Sequence, residues 1–209
     1  MHHYCQALGI QPWELRKKQT ATVESSDWEM LRQAVAQCTA CSLHQTRTQT
    51  VFGVGNREAS LMLIGEAPGF HEDQQGEPFV GRAGQLLTAM LKAMGFERKE
   101  VYIANILKCR PPNNRDPQPI EVQTCTPFLE QQIKLVSPKL LVAVGRIAAH
   151  YLLKTKSSLE SVRNKVHQYG EDNTPLIVTY HPAYLLRNPV DKKKAFLDLQ
   201  FVRRTLERD

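Results

Sequence analysis

The chain has 209 residues, of which 42% are hydrophobic and 23% charged, as expected for one globular domain with room for a short appendage. No apolar run is long enough to span a membrane, and residues 1–5 lack the basic and apolar regions of a signal peptide, so we expect a cytoplasmic protein with no membrane partner. The net charge of +6 favours a polyanionic partner, although solubility alone would also explain it.

Residues 1–26 differ from the rest of the chain and are expected to form an N-terminal docking peptide and a linker. The peptide carries Trp13 among other bulky apolar residues and is interrupted by Pro12, and residues 19–26 are polar. So short a segment cannot bury a Trp by itself, so it needs a surface on its own domain or on another protein. The folded domain is then residues 27–209, with a first helix over 28–37 capped by Ser26 or Asp27.

Four short apolar runs alternate with helical patterns along this domain. The runs are typical of buried strands and cover residues 61–64, 101–104, 140–144 and 176–179. Amphipathic or apolar patterns predict further helices over 83–94, 121–136, 146–153 and 192–206, and a hairpin-like excursion over 162–169. The alternation predicts an α/β fold, a three-layer α/β/α domain with a central four-stranded, mostly parallel sheet.

Polar side chains follow three of the four predicted strands. Glu66, Asn105 and His181 each come directly after, or within two residues of, the end of an apolar run. Because the carboxyl ends of parallel strands meet at one edge of a sheet, we expect these three residues to share one crevice. Taken singly, each residue has an ordinary structural interpretation, and their convergence is the first argument for a functional site.

Four cysteines have a spacing that suggests a metal centre. Cys38 and Cys41 form a CxxC pair, Cys109 follows the second strand, and Cys125 lies on the next helix. Such thiolates suit a four-thiolate site for zinc or for an iron–sulfur cluster, although the second CxxC of a zinc ribbon is missing. Reduced, buried thiols are the alternative. Cys5 is left over as a free thiol.

The motifs together resemble those of the family 4 uracil-DNA glycosylases, the iron–sulfur type. The resemblance runs from about residue 28 to 206 and is carried, in order, by GEAPG at 65–69, GEPFVGRAGQLL at 76–87, NILKCRPP at 105–112, HPAYLLR at 181–187 and the four cysteines. It implies a uracil-DNA glycosylase fold and a DNA repair enzyme that hydrolyses the N-glycosidic bond of uracil, leaving an abasic site. It also implies a structural [4Fe–4S] cluster bound by Cys38, Cys41, Cys109 and Cys125.

The residue chemistry fits a pocket for a flipped uracil. Phe79 offers an aromatic face for the base. The Asn105 amide can accept from N3–H and donate to O4, whereas cytosine presents the reverse pattern and would leave buried groups unpaired. His181 can donate a hydrogen bond to O2 as the uracil anion forms. The small turn formed by Ala67, Pro68 and Gly69 lets the base approach the backbone closely.

The water-activating group is the least defined part of this site. A related glycosylase family carries an Asp in the turn where this chain has Ala67, so Glu66 is the only carboxylate in the motif. We assign Glu66, with His181, to the catalytic residues, in a role of water positioning or electrostatics. Stabilisation of the leaving group is then expected to contribute more to the rate than base catalysis.

Two further segments are predicted to contact DNA. Leu185, Leu186 and Arg187 resemble the loop that wedges into the duplex where the base has left it. Arg82, Gly84 and Gln85 lie at a predicted helix N-terminus, a position that suits a phosphate.

The sequence suggests two alternatives to the glycosylase. Residues 4–16 resemble the N-terminal peptide of the psi subunit of the bacterial DNA polymerase III clamp loader, which implies a tether through residues 1–17 to clamp-loader subunits, or a catalytically weak or inactive subunit on a glycosylase fold. Outside such a complex a monomer is expected. The covalent DNA-trapping relatives of the family carry a nucleophilic His after the cysteine-rich loop, and residues 111–117 contain none.

Overall fold

The structure is a computed structural model that describes residues 20–207. The predicted docking peptide, residues 1–17, lies outside the described residues, and so does Cys5. Helix α1 spans Thr20–Gln37, so the predicted start at residue 28 is wrong: Ser26 and Asp27 lie within the helix instead of capping it. No Pro or Gly occurs between residues 20 and 37, so nothing stops the helix from extending back into the polar stretch.

The sheet has six strands in the order β1-β3-β2-β4-β6-β5. Its four central strands coincide with the predicted ones and pair in parallel. They are β2 (Leu61–Gly65), β3 (Tyr102–Asn105), β4 (Leu140–Val144) and β6 (Thr174–Thr179). The fold class is therefore as predicted, an α/β domain with a mostly parallel sheet.

The two additional strands are short antiparallel edges, so the predicted count of four is wrong. β1 (Val54–Gly55) pairs with β3, and β5 (His167–Tyr169) pairs with β6. The second half of the expected excursion over 162–169, residues 167–169, is thus the first arm of a β5–β6 hairpin. A two-residue strand and the polar run His-Gln-Tyr show no alternation of apolar residues, so no periodicity signals them.

The remaining helices cover both faces of the sheet. In chain order they are α2 (Phe70–Gln75), α3 (Arg82–Ala93), α4 (Pro119–Val136), α5 (Arg146–Leu152), α6 (Leu159–Val162), α7 (Pro182–Arg187) and α8 (Lys192–Leu206). Short 3₁₀ helices occupy Ser42–Gln45, Arg98–Glu100, Pro112–Asn114 and Pro189–Asp191. None of the helices in residues 20–207 has the length and apolar character needed to cross a bilayer.

Alternation along the central strands creates two hydrophobic layers. Met62 and Ile64 of β2 face a core formed with α1, α4 and α5, whereas Leu61 and Leu63 face a core formed with α3 and α8. All five residues of β2 and of β4 are buried. A sheet covered on both faces explains why its strands are continuous apolar runs. It also leaves the carboxyl edge of the sheet as the place where polar side chains are gathered.

Candidate active site

The strand register brings the predicted site residues to one edge of the sheet. Gly65 at the end of β2 is paired with Asn105 at the end of β3. At the end of β4, a Cβ on Gly145 would lie 2.8 Å from the Cβ of His181, so the turn after β6 packs against the turn after β4. The rings of Phe79 and His181 are 5.5 Å apart. Asn105, Phe79 and His181 therefore surround the end of β2.

Asn105 presents an acceptor without a partner. Its side chain is 3% exposed, and Oδ1 is the one buried side-chain polar atom in the described part of the chain that makes no hydrogen bond. Leaving a buried acceptor unpaired costs about 1–3 kcal/mol, so such an atom in a native fold requires an explanation. Here the oxygen lies next to Gly65. A ligand that donates a hydrogen bond to it would explain why it has no partner in the protein.

Phe79 is held in a strained backbone conformation. Its φ of +54° lies in the left-handed region, which is unfavourable for a bulky side chain and is found mainly at functional sites. The Cζ atom of the ring would lie 2.6 Å from a Cβ at position 65. Only a glycine at the end of β2 leaves room for both Phe79 and the amide of Asn105.

His181 is neutral and has a defined tautomer. Its Nδ1 accepts a hydrogen bond of 3.1 Å from the backbone N–H of Ala183, so the ring proton is on Nε2. The pKa of His181 is lowered to about 4, mainly by burial and also by the charge of Arg187, while Glu72 opposes the shift. The ring is therefore an uncharged N–H donor over the physiological pH range.

Glu66 lies at the same edge of the sheet. It is half-buried, and its backbone carbonyl accepts from the N–H of Leu107, 3.0 Å away, which extends the pairing of β2 with β3. The pKa of its carboxyl is raised to about 7, mainly by burial and also by the charge of Asp116, while Arg146 opposes the shift. In the turn that follows, Pro68 is buried, while Ala67 and Gly69 are partly exposed.

The predicted DNA-contacting residues separate into surface and core. Arg82, Gln85 and Arg187 are exposed, and Leu186 is half-buried. Leu185 is 1% exposed and belongs to the core shared with α3 and α8. The prediction that Leu185 wedges into DNA is therefore wrong, because α7 turns this side chain inward.

Gly84 is also buried, and it has a packing role. A Cβ at this position of α3 would overlap the backbone carbonyl of Phe79. This close approach seats the N-terminus of α3 directly against Phe79, and the phosphate contact of Gly84 stays a prediction.

Glu72 is a site residue that the sequence analysis missed. One carboxylate oxygen accepts from the N–H of Gly69 at 3.1 Å, and the other accepts from the N–H groups of Val80 and Gly81 at 3.0 and 3.4 Å. The Gly69 turn and the segment after Phe79 are thereby tied to one side chain. A signal was present: Glu72 is the third helical residue after Gly69, the spacing of a capping box.

Lys108 and Gln132 form a second missed contact, beneath Asn105. The buried Nζ of Lys108 donates to the backbone carbonyl of Asn105 at 2.7 Å and to Oε1 of Gln132 at 2.6 Å. Burial lowers the pKa of Lys108 to about 8. The pair fixes the peptide group that follows the side-chain amide of Asn105. A Lys in a polar loop is typical of a surface residue, so the sequence held no signal for this contact.

The four predicted cysteine ligands line one small cavity between α1, the loop after β3 and α4. No group of three or more His, Cys, Asp or Glu side chains in residues 20–207 is arranged around a single metal ion. The Arg47 guanidinium donates to Cys109 Sγ at 3.2 Å, and the Lys108 N–H donates to Cys125 Sγ at 3.3 Å. Burial raises the pKa of Cys125 to about 11. Four thiols converging on one cavity, two with N–H donors, fit a thiolate-bound group.

Comparison with known proteins identifies the family. Residues 52–201 match the family model described as the uracil DNA glycosylase superfamily. The type-4 uracil-DNA glycosylase of Sulfurisphaera tokodaii is 43% identical over 182 residues, which cover 84% of this chain and 83% of the relative. That of Thermotoga maritima is 46% identical over 162 residues, covering 77% and 83%. A type-5 enzyme of Thermus thermophilus is 31% identical, covering 62% and 67%.

The chain belongs to the uracil DNA glycosylase superfamily. This confirms the predicted family and the predicted class of enzyme, a hydrolase of N-glycosyl bonds.

Proposed function

We propose that the chain is a uracil-DNA glycosylase of the iron–sulfur type, which hydrolyses the bond between uracil and C1′ and releases free uracil and an abasic site. The observation that carries this proposal is the unpaired Oδ1 of Asn105, buried beside a neutral His181 and a strained Phe79. The names of the type-4 relatives support the same substrate.

Recognition of the base falls to Asn105 and Phe79. The N3–H of uracil satisfies Oδ1, and the amide NH₂ donates to O4, so the cost of the unpaired acceptor is recovered on binding. Cytosine has no proton on N3 and a donor at C4, so it leaves the amide unpaired. The Phe79 ring stacks on the base, an interaction worth about 1–3 kcal/mol. Ala67, Pro68 and Gly69 form the adjoining backbone wall.

The leaving group is stabilised by His181. Cleavage leaves negative charge on uracil O2, and the Nε2–H of a neutral imidazole is a fixed donor for that oxygen. A proton is held on Nε2 because the N–H of Ala183 occupies Nδ1. Since the pKa of His181 is about 4, the ring acts as a hydrogen-bond donor and not as a general acid.

The attacking water is positioned by Glu66. Glu66 is half-buried at the edge of the sheet, so its carboxylate can accept a hydrogen bond from a water molecule. Its pKa of about 7 leaves it largely ionised only above neutrality, where a carboxylate can orient water and stabilise the positive charge that develops on the sugar. No second carboxylate adjoins it in the turn, since the neighbour is Ala67.

Contacts to the DNA strand are assigned to the exposed and half-buried members of the two predicted segments. Arg82 and Gln85 on the first turns of α3 face solvent and suit a phosphate. Leu186 and Arg187 at the end of α7 suit the space left by the flipped base and the backbone beside it.

The four cysteines are proposed to hold a [4Fe–4S] cluster. In such a cluster each thiolate binds a different iron, so thiolates too far apart for one zinc ion can share it. When bound, the cluster supplies cross-links between chain segments distant in sequence. This chain's own residues supply N–H···S bonds from Arg47 and from the backbone of Lys108, and the same Lys108 fixes Asn105.

The domain is proposed to begin with α1, since that helix crosses the predicted boundary at residue 27. The alternative of an inactive clamp-loader subunit has no support in residues 20–207, because all the pocket residues are present. The relatives named above are glycosylases.

Release of free uracil tests the proposal directly. The purified chain is incubated with single-stranded and double-stranded oligonucleotides that contain one uracil, and free base and alkali-labile abasic sites are measured. We expect stoichiometric formation of both products, and a loss of at least 100-fold in rate for His181→Ala. A wild-type protein that releases no uracil from either substrate would overturn the assignment.

A further inference from the structure

The ring of Phe70 forms an exposed aromatic surface beside the pocket. Phe70 is the first residue of α2 and directly follows Gly69 of the pocket turn. It is 51% exposed, whereas the apolar side chains of the neighbouring strands are buried. An aromatic face beside a ligand pocket can stack on a base, and a nearby polar group can then hold the phosphate of the same nucleotide.

Arg110 supplies that polar group. Its guanidinium lies 5.0 Å from the centre of the Phe70 ring, and its Nε donates to Oδ1 of Asn114 at 2.7 Å. None of the ion pairs among residues 27–207 involves Arg110, whereas the nearby Arg115 and Arg146 both pair with carboxylates. A positioned but uncompensated guanidinium over an aromatic ring suits a phosphate and a base.

Two chain segments flank this ring. Arg110 belongs to the loop after β3. On the other side, the ring of His71 meets Phe70 at 79° with centroids 5.5 Å apart, and it lies 3.2 Å from the position of a Cβ on Gly81, just before α3. The ring is therefore located between the β3 loop and the N-terminus of α3, on the edge that carries the uracil pocket.

We propose that Phe70 and Arg110 form a subsite for the nucleotide next to the uracil in the same strand. The base of that nucleotide stacks on Phe70, and its phosphate pairs with Arg110. Phe70 directly follows Gly69 of the pocket turn, and Arg110 lies against its ring, so both side chains are placed beside the pocket where a neighbouring nucleotide of the same strand would lie. This inference rests on the proposed function and extends it to the flanking sequence.

The subsite acts most strongly on single strands. A base in a duplex is stacked and paired on its own, whereas a base in a single strand gains a stacking partner from the protein. Stacking on an aromatic face tolerates every base type, so we expect the subsite to accept all four bases at the flanking position. Purines should bind only slightly better than pyrimidines, because their rings are larger.

Substitution of Phe70 tests the subsite. The assay uses the full-length, iron-loaded protein and a single-stranded oligonucleotide containing uracil. Phe70→Ala is expected to raise KM about tenfold with kcat unchanged, and Phe70→Trp is expected to keep KM at the wild-type value. On a duplex the change in KM is expected to be under threefold. Arg110→Gln is expected to make the plot of the logarithm of the DNA-binding constant against the logarithm of salt concentration less steep. Its slope should change by about 0.7, the value for one phosphate contact on a single strand.

A binding measurement keeps this test independent of catalysis. Quenching of 2-aminopurine placed on either side of the uracil reports stacking, and it is expected to fall in Phe70→Ala. Phe196→Ala is the matched control, since Phe196 is 46% exposed on α8, and it should change neither KM nor quenching. An active wild type whose KM and quenching are unaltered by Phe70→Ala overturns the subsite. An inactive wild type overturns the proposed function, while the quenching series still decides the subsite.

Discussion

Gly65 and Asn105 are partners in the parallel register of β2 and β3, and the amide oxygen of Asn105 lies so close to the Cα of Gly65 that any side chain there would collide with it. The ring of Phe79 occupies the other side of the same glycine. The two groups that we propose recognise the base are thus placed by the absence of a side chain at the end of one strand.

Adding a single methyl group at this position is therefore expected to disable the site. In Gly65→Ala the new Cβ displaces Asn105 and Phe79, and we expect kcat/KM for uracil release to fall by about 100-fold, as a small misplacement of positioning groups can cause. Gly170→Ala is the control, since Gly170 has a φ of +69° in the β5–β6 hairpin with open space around it. It should lose some stability and keep its activity. Normal activity in Gly65→Ala would contradict the role assigned to this contact.

The pH dependence of the reaction is expected to follow Glu66 and not His181. The pKa of Glu66 is raised to about 7, mainly by burial, so its carboxylate forms as pH rises through 7. We expect kcat/KM to decline about tenfold per unit below that value, as it does when an essential base becomes protonated. His181, with a pKa of about 4, should add no break between pH 5 and 9.

Glu66→Gln separates these two assignments. The substitution removes the titrating group, so the variant should be slower above pH 7 and show no acid limb in the profile of kcat/KM. A wild-type profile that is flat from pH 5 to 9, or a break that persists in the variant, would show that Glu66 does not control the reaction.

The carboxylate of Glu72 is expected to matter through the shape of the pocket. Its bonds to the N–H groups of Gly69 and Val80 hold the turn and the strained segment around Phe79. Hydrogen bonds to a charged group contribute about 1.5–3 kcal/mol each, so Glu72→Ala should lower kcat/KM by about 10- to 100-fold. Product inhibition by free uracil should weaken in parallel, because the stacking ring is no longer fixed.

The adjacent carboxylate provides the control for this prediction. Asp73 is buried and accepts from the N–H of Thr48 at 3.0 and 3.1 Å, so it anchors α2 without touching the pocket. Asp73→Asn should lower the melting temperature and leave kcat/KM unchanged at 25 °C. Equal losses of activity in both variants would mean that Glu72 acts only through the stability of α2.

Loss of the cluster is expected to destabilise the fold. Cys125 lies on α4 and Cys38 follows α1, so a group bound by both joins these helices. Cys125→Ser, or oxidative removal of iron, should abolish absorbance near 400 nm and lower the melting temperature by 5 °C or more, on the order of 1–2 kcal/mol. Cys5→Ser serves as the control and should keep both the absorbance near 400 nm and the wild-type melting temperature. A colourless wild type that contains one zinc per chain would contradict the cluster.

The central part of the fold was predictable because the four parallel strands are covered on both faces. Burial on both sides gives uninterrupted apolar runs such as residues 140–144, and the ends of those runs placed Asn105 and His181 at the carboxyl edge of the sheet. The edge strands lacked such a signal, and the start of α1 was misplaced because Ser26 and Asp27 are good caps that happen to lie inside a helix.

The details of the site that escaped prediction depend on tertiary contacts. Whether Leu185 or Leu186 faces outward depends on how α7 packs on the core, which spacing within a six-residue helix does not determine. Burial of Lys108 depends on Gln132, 24 positions away. Glu72 is the exception, since its spacing from Gly69 in the sequence is that of a capping box. Only its hydrogen bonds to Val80 and Gly81 could not be predicted from the sequence.

The central claim is that Oδ1 of Asn105 is reserved for the N3–H of uracil. The most direct test compares kcat/KM for otherwise identical oligonucleotides that contain uracil or cytosine, in wild type and in Asn105→Ala. We expect rapid release of uracil and no detectable release of cytosine by wild type. The variant should lose about 100-fold or more of the uracil activity, as the removal of two buried hydrogen bonds requires. A variant that releases uracil at the wild-type rate, or a wild type that releases cytosine comparably, would contradict it.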